Sequence, residues 1–245
     1  MEEARVTSES GLAVSALGVR YGGVIALADV SLAVPSGGVV GLIGPNGAGK
    51  TTVINAVTGV RAPDSGTIAL DGVRLDRLSQ HRVARAGVAR TYQNIRLFAQ
   101  LGVADNVRAG AYRRTHALSD GEVVELLERT GTRERNLARR AGTLPYGEQR
   151  RLEIARALAA QPSLVLLDEP AAGMNPSESL ALRGVIRDVA RAGAAVLLVE
   201  HDMSLVGAVC DRVVVLNFGA VIAAGSPAEI ARDPAVIEAY LGTEA

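Results

Sequence analysis

Tryptophan is absent from this chain of 245 residues, phenylalanine occurs twice, and cysteine occurs once. The single cysteine, Cys210, excludes an internal disulfide and fits a reducing compartment. No stretch of about 18 apolar residues runs without a charge, so no membrane-spanning helix is expected. The longest candidate, Val213 to Gly225, contains Asn217 and Gly219 and reads as a hairpin. The N-terminal stretch MEEARVTSES is acidic and polar, unlike a secretory signal. Lysine is nearly missing too: of 26 basic residues, Lys50 is the one lysine and the other 25 are arginine.

What remains is enough to build a core. Apolar residues make up 48% of the chain, mostly aliphatic, which indicates a globular protein rather than a disordered one. The length suits one domain, with or without an inserted subdomain. Net charge is zero, which weighs against a nucleic-acid partner. The balance is uneven, however. Between Arg74 and Arg156 there are 17 arginines against nine acids, an excess of +8. That basic middle reads either as a partner surface or as arginines on solvated helix faces.

The order of elements is legible from period and punctuation. Leu12–Val19 and Val24–Val34 read as a hairpin, Pro35–Gly38 as a turn, and Val39–Ile43 as a buried strand. Lys50–Thr58 then reads as a helix and Thr67–Leu70 as a strand. From Ser79 to Ala160 helical spacing dominates, as in Gly121–Thr130 and Glu148–Ala160. Leu164–Leu167 (strand), Ser177–Arg191 (helix) and Ala194–Val199 (strand) follow, then Val213–Leu216 paired with Ala220–Ala223. This alternation implies an α/β fold: a mostly parallel sheet with helices on both faces and a helical insertion in the middle.

Gly44-x4-Gly49-Lys50-Thr51 satisfies the phosphate-loop pattern, with a strand before it and a helix after it. Glycines let backbone N–H groups turn inward onto phosphate oxygens, and the helix N-terminus adds its dipole. The ligand-binding stretch is Gly44, Pro45, Asn46, Gly47, Ala48, Gly49, Lys50, Thr51 and Thr52. Lys50 is where a compact ammonium on a flexible stem must enter a tight ring of N–H groups; arginine's planar fork is larger. The Thr51 hydroxyl is a magnesium ligand candidate. The motif alone says nucleoside triphosphate, which small-molecule kinases, GTPases and transport ATPases share. A second motif narrows this. The apolar run Leu164–Leu167 ends in Asp168-Glu169, and carboxylates at the end of a core strand lie next to the phosphate loop. Asp168 is then expected to assist the metal and Glu169 to polarise an attacking water.

"LPYGEQRRLEIARAL" (Leu144–Leu158), shortly before "LVLLDEP", resembles the signature helix of ATP-binding cassette (ABC) proteins. In that family the signature segment of one subunit closes over ATP held by another. The usual form is Leu-Ser-Gly-Gly-Gln. Here Pro145, Tyr146 and Glu148 replace the Ser, first Gly and Gln. Proline suits the first helical position, and the γ-phosphate contact is expected to fall mainly on Gly147 and the helix dipole. Tyr146, Gly147 and Glu148 are thus nucleotide-contact candidates. The resemblance also implies roles for Gln93 in "RTYQNIRLF" (metal sensing and the membrane-partner side) and His201 in "VEHDM" (γ-phosphate). Tyr21, 23 residues before Gly44, is implied to stack on adenine, and Ala171–Pro176 lies where the D-loop falls.

The resemblance spans about Leu12 to Gly242 and implies a P-loop NTPase (RecA-like) core with an N-terminal antiparallel β subdomain. One domain over 1–245 is expected, with residues 12–90 and 160–245 as core and 91–159 as the helical subdomain carrying the signature. "RTYQNIRLF", "YGEQRRLEIARAL" and "DPAVIEAYLG" are most similar to the ATP-binding subunits of branched-chain amino acid importers, whose relatives serve urea, amides and lipopolysaccharide export. The expected activity is ATP hydrolysis with Mg²⁺. The expected catalytic residues are Glu169, His201, Lys50 and Gln93, and the expected metal ligands Thr51, Gln93 and Asp168. The implied partners are integral membrane permease subunits, a second ATP-binding subunit and, indirectly, an extracytoplasmic solute-binding protein, with no nucleic acid. The implied location is cytoplasmic, on the inner face of the membrane. Three rivals stand beside it: a cassette ATPase of DNA repair or translation, a small-molecule kinase, and a regulatory nucleotide-binding subunit. The kinase leaves 144–158 unexplained, and the presence of Glu169 and His201 argues against the regulatory subunit.

Overall fold

A computed structural model describes residues 10–134 and 136–241. The acidic start Met1–Glu9 and the end of the family-like segment, Gly242, lie outside the described residues. Strands β1 (Gly11–Tyr21) and β2 (Val24–Pro35) form the expected hairpin, and β3 (Val39–Ile43) follows the turn. Next come α1 (Lys50–Val57), β4 (Ser65–Leu70), β5 (Val73–Arg74), α2 (Gln80–Arg85) and β6 (Val88–Arg90). Helices α3 (Val103–Gly110), α4 (Asp120–Arg129) and α5 (Tyr146–Ala159) make up the middle. The chain closes with β7 (Leu164–Asp168), α6 (Pro176–Arg191), β8 (Ala195–Val199), α7 (Met203–Val209), β9 (Arg212–Asn217), β10 (Ala220–Gly225), α8 (Pro227–Ile230) and α9 (Pro234–Leu241).

Two sheets result. An antiparallel sheet has the order β2-β1-β4-β5, and a six-stranded sheet has the order β10-β9-β3-β8-β7-β6. In the second sheet β9, β3, β8, β7 and β6 are parallel and β10 is antiparallel at the edge. β3, β7 and β8 are buried along their whole length, as a parallel sheet covered on both faces requires. Side chains alternate between the two faces. Val165, Leu167, Val196 and Leu198 pack into the layer of α3 to α7, whereas Leu164, Leu166, Leu197 and Val199 pack against α1 and the antiparallel sheet.

Two expectations are adjusted. The stretch after Ser79 is not helical throughout: β6 pairs with β7 at the sheet edge. It is only three residues long, too short for an alternating pattern to register. Helix α5 begins at Tyr146, and Pro145 stands at its N-cap with φ −54° and ψ 152°, one place before the first helical position. The hairpin between β9 and β10 turns on Phe218 and Gly219, both at positive φ (45° and 79°). That is the backbone of a type I′ turn, where asparagine is commoner than phenylalanine in first place. No helix among the described residues is long and apolar enough to cross a membrane.

Candidate functional site

The loop between β3 and α1 is shaped by its glycines. Gly44 has φ 144°, and a Cβ there would lie 2.1 Å from the Leu216 carbonyl oxygen. Gly49 has φ 108°, and a Cβ there would meet Leu27 at 2.7 Å. Neither position tolerates a side chain without moving β2 or β9. Helix α1 then starts with no side-chain cap and no acid in its first turn. Its first N–H groups have no intrahelical acceptor and no competing carboxylate, which suits phosphate.

Lys50 folds back on this loop, donating from Nζ to the carbonyls of Gly44 (2.6 Å) and Pro45 (2.9 Å). Burial pushes its ammonium pKa below the usual value, and the nearby Glu169 and Asp168 carboxylates pull it back up. The sheet thus brings the phosphate loop and the acids at the end of β7 together. A cleft of about 500 Å³ is lined by Asn46 to Thr52, Gln93, Asp168, Glu169, Val24, Ile25 and Phe218. A second cavity of about 720 Å³ shares Asn46, Lys50, Gln93 and Glu169 and adds Gly44, Pro45, His201 and Tyr240.

Within the cleft the two acids have different partners. Asp168 is 7% exposed, and Arg90 donates to its Oδ2 at 2.9 Å while reaching Asn55 Oδ1 with its other amine. Glu169 adopts φ 46°, an uncommon left-handed conformation for a side-chain-bearing residue, of the kind found at functional sites. Gln93 donates from Nε2 to Glu169 Oε2 at 2.8 Å. His201 is exposed. Its backbone N–H and that of Ala171 donate to the carboxylate of Glu200, which burial holds above the ordinary carboxylate range. Glu200 therefore joins the turn after β8 to the turn after β7.

The donors present suit a hard dication. Thr51 offers a hydroxyl and Asp168 a carboxylate, and with Gln93 Nε2 spent on Glu169, its Oε1 is the amide atom left for a cation. Among the described residues no group of three or more His, Cys, Asp or Glu side chains converges.

The remaining expected residues fall elsewhere. Tyr21, at the end of β1, lies under the Arg61 guanidinium 5.6 Å from its ring, and it is not among the cleft-lining residues. Tyr146, Gly147 and Glu148 open α5, away from the cleft of their own chain. Gly147 lies against Glu178: a Cβ there would be 2.0 Å from Glu178 Oε1, so the carboxylate would have to swing aside. Gly173, in the turn after β7, has φ 75°, and a Cβ there would lie 3.1 Å from the Tyr146 ring. Glu148 accepts from Arg151 and from the Arg133 backbone. Sequence reading also missed Arg90, Phe218 and Tyr240. Phe218 is 87% exposed at the cleft; an aromatic in a tight-turn position was its one available signal.

The chain has relatives of known family and fold. Residues 27–172 match the family described as ABC transporter, and residues 220–245 match the one described as branched-chain amino acid ATP-binding cassette transporter. The chain is 44% identical over 249 residues to the high-affinity branched-chain amino acid transport ATP-binding protein BraF of Pseudomonas aeruginosa, covering 94% of this chain and 97% of that protein. It is 42% identical over 253 residues to LivG of Salmonella typhimurium, described in the same words, covering 96% and 99%. Its fold matches the crystal structure of a nucleotide-free ATP-binding cassette from an ABC transporter with a TM-score of 0.84 at 26% identity, covering 94% and 98%. With a phosphate loop, an acid pair and a sheet order built around one nucleotide cleft, the chain belongs to the ABC transporter family as an ATP-binding cassette, the ATPase component.

Proposed function

We propose that this chain is the ATP-hydrolysing subunit of an importer of branched-chain amino acids. The observation that carries the ATPase half is the convergence of Lys50, Thr51, Gln93, Asp168 and Glu169 on one cleft. The C-terminal match over residues 220–245 supports the amino-acid half over other solute systems.

ATP enters with its phosphates on the loop Gly44–Thr52 and the α1 N-terminus. Lys50 exchanges the carbonyls of Gly44 and Pro45 for β- and γ-phosphate oxygens, where it offsets charge that develops in the transition state. Thr51, Asp168 and Gln93 Oε1 would hold Mg²⁺. When bound, Mg²⁺ would supply positive charge that offsets the negative charge of the phosphates. Glu169, oriented by Gln93, accepts a proton from the attacking water. His201 contacts the γ-phosphate from the second cavity. Adenine stacks on Tyr21, which lies outside the cleft lining, once Arg61 moves aside. Tyr146, Gly147 and Glu148 face the nucleotide of a second ATP-binding subunit, so that two chains close over two ATP molecules.

We assign residues 12–90 and 160–245 to the catalytic core and 91–159 to a helical subdomain that follows the membrane permease. A groove of about 460 Å³ lined by Tyr92, Arg96, Phe98, Tyr112 and Arg156 runs from β6 to α3 and α5, and it supports placing the permease contact there. The chain then works at the inner face of the membrane, fed by an extracytoplasmic solute-binding protein.

The test is transport. Membrane subunits that co-purify with the chain are reconstituted in vesicles with the solute-binding protein, and ATP-driven leucine uptake is measured. Uptake that stops with Glu169→Gln supports the assignment. ATP hydrolysis with no movement of leucine, isoleucine or valine removes the amino-acid half. A pure chain and complex with no ATPase activity remove both halves.

A further inference from the structure

Helix α5 holds an arginine with no solvent exposure at all, Arg150. Its two terminal amines make four hydrogen bonds. One amine donates to the Tyr92 carbonyl and to Glu153 Oε2 (2.8 Å). The other donates to the Gln93 carbonyl (2.6 Å) and to the Tyr146 hydroxyl (3.1 Å). The partner acid, Glu153, is 1% exposed and accepts the Arg96 backbone N–H on its other oxygen at 3.0 Å. The segment 92–96 is therefore gripped at both ends by one turn of α5: two successive carbonyls on Arg150, one N–H on Glu153. Gln93, the second residue of that segment, donates from its side chain to Glu169.

Stability alone is a poor reason for this arrangement. A buried ion pair gains little over apolar side chains of similar volume once its desolvation is counted. Arg150 Nε is also buried with no hydrogen-bond partner, a further cost. What an apolar side chain cannot do is hold two consecutive carbonyls in register, and a planar fork can.

We propose that Arg150 is a positioning residue. It sets the backbone of Gln93, and through the Gln93 amide the orientation of Glu169, from a helix whose first turn carries Tyr146 and Gly147. The proposal rests on the reading of Glu169 as the base and of the α5 N-terminus as the face toward the second subunit's ATP. Contact at Tyr146 then reaches Glu169 of the same chain through three side chains: Tyr146 hydroxyl to Arg150, Arg150 to the Gln93 backbone, Gln93 amide to Glu169. Occupancy of one ATP site is thereby registered at the carboxylate serving the other.

The experiment measures kcat and KM for Mg-ATP in the full-length protein for four chains: the parent, Arg150→Met/Glu153→Gln, Gln93→Ala, and the three changes together. The Met/Gln pair removes the fork and its buried acid together; Arg156, 3.9 Å from Glu153, loses that carboxylate but keeps 16% side-chain exposure, and glutamine can still accept the Arg96 N–H. Expected is a KM within about twofold of the parent and a kcat about tenfold lower or more, since small misplacements of catalytic groups cost that much. Gln93→Ala should then cost less on top of the Met/Gln pair than it costs in the parent, because the Glu169 contact is lost in both and only its metal-site share is new. An unchanged kcat, or losses that multiply, overturns the proposal. If the Met/Gln chain does not fold, Arg150→Lys, which keeps the charge and loses the fork, is judged by the same split and the same non-additivity. If Glu169→Gln abolishes turnover while the Arg150 changes do not, only the role of Arg150 falls. If Glu169→Gln turns over normally, the assignment of the base falls and takes this proposal with it.

Discussion

Arg90, from the edge strand β6, donates to Asp168 at the end of β7 across 2.9 Å, with both side chains nearly buried. The pair spans 78 positions in sequence and ties the last strand of the sheet to the candidate metal ligand. Removing one partner leaves the other charge buried. Arg90→Met is therefore expected to lower unfolding free energy by about 3 kcal/mol or more, read from urea denaturation. A loss within a few tenths of a kcal/mol would mean that the pair is solvated in solution.

Glu169→Gln keeps the hydrogen bonding of its site and removes the proton acceptor. Nucleotide binding should survive, and steady-state turnover should fall by about a hundredfold or more. A fluorescent ATP analogue reports binding, and released phosphate reports turnover. Normal turnover rejects Glu169 as the base.

Lys50 is the one lysine in the chain, and its ammonium already sits among the carbonyls of the loop it serves. Lys50→Arg keeps the charge but not the fit, so most ATPase activity should go. Amine-directed labelling followed by peptide mapping should find one modified side chain, protected by ATP. Full activity in Lys50→Arg removes the argument from shape.

Asp76 supplies a pH dependence away from the cleft. The hydrogen bond from Arg74 is the main cause that lowers its carboxyl from 3.8 to about 2, helped by the Ile68 N–H. As pH falls through that window the unfolded chain takes up the proton first, so this contribution is full above 3.8 and fades toward about 2. The stability gap between the parent and Asp76→Asn should be constant above about pH 4 and narrow below it, as followed by urea midpoints. A gap that widens on acidification contradicts the assigned direction.

Much of the fold is legible in residue order, because its signals are local. Val39–Ile43, Leu164–Asp168 and Ala195–Val199 are short aliphatic runs closed by glycine or acid, and strands covered on both faces must read that way. The strand β6 is the exception: three residues at a sheet edge carry no period of their own. Short α7 escaped notice for a similar reason.

The phosphate loop, the acid pair after β7 and the choice of lysine at position 50 follow from the sequence by itself, since each depends on neighbours a few residues away. Only the tertiary structure decided which of 25 arginines matter. Arg90 finds Asp168, and Arg150 finds the carbonyls of Tyr92 and Gln93, each across more than fifty positions. It also placed Glu178 against Gly147, put Phe218 and Tyr240 at the cavities, and drew Tyr21 under Arg61. The physical reason is common to all of these. Side chains alike in composition differ in role once strand order and helix packing set which carbonyl or carboxylate lies within about 3 Å of them and which ring lies beneath them, and no local pattern encodes that placement.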